Sequence, residues 1–379
     1  MSASETSPSL PIHSATDPDL IEQAVPGHGV PSQDPSPAAQ LPLEPLEAER
    51  EAHSVLMGGG MMAGAAAGAG IGMALGGPVG VVVGGTLGAV AGALGGAAAG
   101  QAIDPAAPQA VADAVHLHID DSGGAGRPVV LIHGWPLSAQ AWALQTSVLQ
   151  RAGYRVVAYD RRGFGRSDKP ESGYDYDTLA DDLQRVITQC DLQDVTLVGF
   201  SMGGGEVARY VARHGESRLR SVVLAAAVTP ALMKSGSNPQ GPLTREVAAE
   251  KRQALEADRH AYFAAFALAF FSANGELQVS QAQLDEAVGL CHQSLQQAAL
   301  ACMDAFSTTD FRSDLQQIYV PTLVIHGEAD GIVPIEGSGL RTHRAVAHSW
   351  LVQVSGAPHG LNVSHAQVFN EALLSFLRD

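Results

Sequence analysis

The chain has 379 residues, 46% hydrophobic and 16% charged, with a formal net charge of −17. The apolar share excludes a wholly disordered chain. The acidic balance, with no basic cluster denser than Arg161, Arg162 and Arg166, argues against nucleic acid as a partner and against docking by a polybasic patch. Three widely spaced cysteines, Cys190, Cys291 and Cys302, lack CxxC or zinc-ligand spacing and read as reduced, buried thiols rather than a disulfide framework or metal site.

Residues 1–55 are rich in Pro, Ser, Ala and acid, carry no Lys or Arg before Arg50, and read as a disordered tail without the basic start of a secretory signal. Residues 56–107 form a Gly/Ala-rich zone. From Ser54 to Ile103 there is no charged residue, and glycine recurs every fourth position from Gly60 to Gly100. On a helix that spacing makes a smooth groove for backbone-to-backbone packing. Pro78 divides the zone into about 21 and about 25 residues, each long enough at ~1.5 Å per residue to cross a ~30 Å hydrocarbon core. Three readings stand side by side: a glycine-zipper hairpin at a membrane, a zipper joining chains in water, and a flexible spacer. The first two make residues 56–103 a membrane-association or self-association segment.

From residue 108 to 379 the composition is that of a globular domain. Short apolar, β-branched runs predict strands at Val115–Ile119, Pro128–Ile132, Arg155–Tyr159, Val195–Phe200, Arg220–Ala225, Thr322–His326 and Trp350–Val354. Strands without alternation are buried on both faces, which calls for a mostly parallel sheet flanked by helices, an α/β class. Helices are expected at Thr178–Cys190, Gly204–His214 and Gln367–Leu377. The stretch of about 230–310 lacks strand-like runs and reads as an inserted helical lid. Phe263, Phe266, Phe270 and Phe271 in it read either as core packing or as an aromatic wall over a small acyl pocket.

The Val195 strand runs into Gly199-Phe200-Ser201-Met202-Gly203 and then a helix, the strand–turn–helix context of a nucleophile elbow. A serine nucleophile requires an acid and then a histidine at later strand ends. Asp330 in HGEADGIVP and His359 in GAPHG stand there, with Glu328 and His365 as rivals. An oxyanion hole is expected from the backbone N–H groups of Met202 and of Trp135 in HGWP. His133 in that motif reads as a loop brace. Asp160 to Ser167 reads as a turn held by ion pairs, with substrate carboxylate binding by one of its arginines as the alternative.

Together HGWPLSAQAW (133–142), YDRRGFGRSDKP (159–170), LVGFSMGGGEVARYVARHG (197–215), HGEADGIVPI (326–335) and SGAPHGLNVSH (355–365) resemble the α/β-hydrolases called cofactor-free haloperoxidases, perhydrolases and aryl esterases. The resemblance implies an α/β-hydrolase fold and a serine hydrolase that needs no cofactor or metal. It implies an acyl-enzyme on Ser201, with Asp330 and His359 completing the triad and Trp135 and Met202 as oxyanion donors. The partners it implies are a small ester or carboxylic acid and hydrogen peroxide, with Pro136 resembling a residue noted in members that form peracids. Phe266 and Phe270 are taken as substrate contacts. The expected location is the cytoplasm, free or at the inner membrane. The competing reading makes the glycine zipper the working part, with the hydrolase domain a lipase-like or passenger module.

Overall fold

A computed structural model describes residues 115–378. The expectations placed on residues 1–55 and 56–107, with the tail, hairpin and zipper readings, lie outside the described residues. Among those residues no helix is long and apolar enough to cross a membrane.

The elements follow in chain order: β1 Ile119–Asp121, β2 Pro128–Ile132, α1 Ala143–Arg151, β3 Arg155–Tyr159, α2 Tyr176–Gln189, β4 Val195–Phe200, α3 Met202–His214 and β5 Leu219–Ala225. Four helices come next, α4 Arg245–Ala257, α5 Arg259–Phe271, α6 Gln281–His292 and α7 Gln296–Thr308, with a small hairpin, β6 Ser272–Ala273 and β7 Glu276–Leu277, between α5 and α6. The chain ends with α8 Arg312–Leu315, β8 Thr322–Gly327, α9 Gly339–Ala345, β9 Ser349–Val354, α10 Leu361–Ser364 and α11 Ala366–Arg378.

The main sheet has the order β1-β3-β2-β4-β5-β8-β9. All neighbours are parallel except β1, which runs antiparallel to β3. The inner strands are the β-branched runs: every residue of β4 and β8 is buried, because helices cover both faces. On α2, Leu179, Leu183, Val186 and Ile187 are buried at three- and four-residue spacing, while Asp175 caps the first turn by accepting the Thr178 N–H at 2.9 Å. Such a cap contributes about 1 kcal/mol.

The first strand departs from the sequence expectation. Only Ile119 of Val115–Ile119 lies in β1, because the preceding backbone groups are taken by the loop after β3. The His116 N–H donates to Asp168 Oδ2 and the His118 N–H to Ser167 Oγ, while the His118 carbonyl accepts the Asp160 N–H. The backbone groups of His116 and His118 are thus bonded without a ladder.

Candidate active site

Parallel strands end at one edge of the sheet, and the loops leaving β2, β4, β8 and β9 meet there. The loop after β4 is a single residue. Ser201 sits between strand and helix with φ 54°, a left-handed conformation that costs a non-glycine residue about 1–3 kcal/mol. Its carbonyl accepts the N–H groups of Gly204 and Val228, and its own N–H donates to the Ala225 carbonyl at 2.8 Å. Only glycine fits two before and two after it: a Cβ on Gly199 would strike the Gly203 carbonyl, and one on Gly203 the Ile132 carbonyl.

His359 follows β9 in the loop before α10, and its Nε2 lies 2.9 Å from Ser201 Oγ. Its Nδ1 lies 2.6 Å from Asp330 Oδ2. A carboxylate only accepts, so Nδ1 carries the proton and Nε2 is left to accept the serine hydroxyl. Asp330 Oδ1 accepts the N–H groups of Ile332 and Val333 at 2.9 and 2.8 Å, which fixes the carboxylate on its turn after β8. Burial raises the Asp330 carboxyl, but the charge of His359 and the hydrogen bonds from His326 and His359 outweigh it and hold it well below the usual carboxylate range. All three side chains are buried.

His326, on β8, was not singled out in the sequence. Its Nε2 is 2.8 Å from the Val333 carbonyl and 3.2 Å from Asp330 Oδ2, so it carries a proton there and supports the acid from a second side. The only signal was its place four residues before Asp330. Glu328 is exposed, and His365 pairs with Ser364, so neither rival joins the constellation.

The loop after β2 brings Trp135 to the same place. No acceptor takes the Trp135 N–H among the described residues. Met202 is the first residue of α3, so its N–H lies outside that helix's own ladder. The Trp135 indole donates to the Ala299 carbonyl at 2.9 Å and stands edge-on to Phe266 at 5.1 Å and Phe306 at 5.7 Å. His133 braces the loop: its Nε2 accepts the Arg161 N–H at 3.0 Å, and its carbonyl accepts from Arg161 Nη2 at 2.8 Å. The arginines after β3 are spent in ion pairs, Arg161 with Glu206, Arg162 with Asp182 and Arg166 with Asp160 and Asp120, so none is left for a substrate carboxylate.

Ser201 and His359 open onto a cavity of about 260 Å³, walled by Trp135, Leu232, Phe266, Met303 and Phe306 among others. Phe266 is on that wall, whereas the Phe270 ring packs edge-on against His359 at 5.1 Å and faces a second cavity of about 240 Å³ on the far side. The cause is local, since the Gly360 N–H donates to the Phe270 carbonyl and draws this end of α5 under the histidine. Pro136 is buried behind Trp135 and lines neither cavity.

Against known proteins, the family described as alpha/beta hydrolase fold matches residues 127–366. The chain belongs to the α/β-hydrolase fold family. This α/β-hydrolase is 42% identical to a non-heme chloroperoxidase of Kitasatospora aureofaciens, over 70% of its own length and 97% of the relative's. It is 38% identical to a bifunctional esterase/perhydrolase of Acinetobacter calcoaceticus, covering 70% and 97%. Among solved structures, the bromoperoxidase of Bacillus anthracis matches with TM-score 0.68 and 47% identity, over 70% of this chain and 96% of that one. The α/β-hydrolase described here is thus an enzyme.

Proposed function

We propose that this α/β-hydrolase is a serine esterase acting on small or aryl carboxylic esters, with hydrogen peroxide able to replace water in the second half-reaction, and that residues 108–379 carry the activity. The reading rests on one observation above all: the unbroken chain Ser201 Oγ, His359, Asp330 at 2.9 and 2.6 Å, opening onto an apolar cavity. His359 Nε2 takes the Ser201 proton as Oγ attacks the ester carbonyl, and the anionic Asp330 stabilises the imidazolium. The N–H groups of Trp135 and Met202 receive the developing oxyanion. His359 then protonates the leaving alcohol. In the second step it deprotonates water, which gives the acid, or hydrogen peroxide, which gives the peracid. The names of the chloroperoxidase and esterase/perhydrolase relatives support the peroxide branch.

The test is turnover of p-nitrophenyl acetate by the full chain, with and without hydrogen peroxide, following phenol and peracid together. Ser201→Ala is expected to lower kcat at least about 10³-fold. Phenol release that survives this substitution overturns the reading. Phenol without peracid removes the peroxide branch alone.

A further inference from the structure

We infer that the ester this site prefers carries a carboxylate, and that Lys251 holds it at the cavity mouth; the inference rests on the serine-esterase reading above. Lys251, on α4, is exposed to solvent and yet lines the same cavity as Ser201 and His359, which puts it where the cavity meets solvent. Among the described residues no Asp or Glu lines that cavity. Among the described residues Lys251 has no ion pair or hydrogen bond, whereas the adjacent Arg252 is paired with both Glu256 and Asp304. Desolvation with no compensating anion lowers the Lys251 pKa from the ordinary lysine value.

Two hydroxyls on the wall are open as well. Tyr262, on α5, and Ser307, on α7, line the cavity, and neither hydroxyl has a hydrogen-bond partner among the described residues. A neutral ester would leave one cation and two donors unused. A half-ester of a dicarboxylic acid uses them: its scissile carbonyl sits at Ser201, its methylenes cross the apolar wall, and its carboxylate stays at the mouth. The anion belongs at the mouth because carrying it deeper would strip it of water and counter-charge together. On a chain of net charge −17, a local cation is also what an anionic substrate needs to approach.

Two esters of equal carbon count separate charge from size: monomethyl adipate and methyl hexanoate, which differ in a terminal carboxylate against a methyl. The quantity read is the ratio of their kcat/KM values on the full chain, by proton release. Lys251→Met is expected to lower the ratio about tenfold, through KM for the half-ester. Lys251→Glu should lower it further, and Lys251→Arg should keep most of it. Raising salt should shrink the parent's ratio and leave that of Lys251→Met flat. A ratio that stays within about twofold in both the Met and Glu variants overturns the inference. Methyl hexanoate turnover that vanishes in Ser201→Ala while the ratio ignores residue 251 would overturn this inference and spare the esterase reading. Turnover that persists in Ser201→Ala would remove both.

Discussion

The loops at the strand ends close their charges on one another, whereas the four helices inserted between β5 and β8 leave open the polar groups that they turn to the cavity. In the strand-end loops the charges are closed on one another: Arg161 with Glu206, Arg162 with Asp182, Asp330 with His359 and His326. On the inserted helices Lys251, Tyr262 and Ser307 face the cavity with no partner among the described residues. A buried charge left without a partner is costly, so a pair that shapes the catalytic loops must be satisfied inside the protein. A group meant for a ligand has to be left open, and it is tolerated because it stands at a mouth where water serves in the meantime. The first region fixes the chemistry. The second is free to set what enters.

The comparison breaks most sharply at Glu206. This carboxylate lies in α3, one turn beyond Ser201, and receives Arg161 Nε at 2.8 Å with both side chains fully buried; Tyr159 donates to its other oxygen. Glu206→Ala leaves the Arg161 cation buried and unpaired, and about 3–5 kcal/mol of stability should be lost, read as a shift of the urea midpoint. Replacing the pair together, Arg161→Met with Glu206→Leu, should recover most of that loss. A double variant as unstable as the single one would mean that the pair itself, rather than its completeness, holds the loop.

The same difference decides what the sequence discloses. The inner strands were readable because β4 and β8 are short, mostly apolar runs without alternation, buried along their whole length, and Ser201, Asp330 and His359 because each stands at a strand end in a motif that the chemistry constrains. The Arg161–Glu206 tie spans 45 positions, and no local pattern announces it. Lys251 in REVAAEKRQALEA reads as one more charge on a solvated helix; only the packing of α4 over Ser201 turns it to the cavity. Phe266 and Phe270 share one face of α5 at a spacing of four, so periodicity groups them. Which of the two lines the cavity beside Ser201 depends on where α5 meets the His359 loop. At Val115–His118 the apolar signal was real, yet the side chains of Asp168 and Ser167 claimed the backbone first.

A medium-sized effect follows from His133, the brace of the Trp135 loop. Burial, reinforced by the Arg161 cation, lowers its pKa to about 3, so it stays neutral in the folded protein. An unfolded histidine titrates near ~6.5. The unfolded state therefore takes up one proton more than the folded state between those values. His133 contributes no penalty above pH about 6.5, and stability falls as pH drops from there toward about 3, by up to roughly 1.4 kcal/mol per pH unit. His133→Gln can keep an acceptor for the Arg161 N–H but cannot titrate, and its stability at pH 4 relative to pH 7 should decline less than the parent's. Equal pH slopes for the two proteins, from urea titrations at several pH values, would place the acid sensitivity elsewhere.

The smallest effect concerns shape rather than charge. Phe266 stands edge-on to Trp135 at 5.1 Å and walls the cavity, while Phe270, one turn on, backs His359 from the other side. Truncating the first ring adds room in the cavity beside Ser201, where the proposed ester would place its acyl chain, and leaves the histidine's support intact. Truncating the second removes a wall of the imidazole. Phe266→Ala should therefore shift the preference among p-nitrophenyl esters from acetate toward longer acyl chains, by a few-fold per added methylene at ~1 kcal/mol each, with kcat for the best ester held. Phe270→Ala should instead lower kcat for every chain length alike. If both substitutions move only the chain-length profile, the two phenylalanines act as one wall, and the separation drawn between the catalytic loops and the helices over them fails at α5.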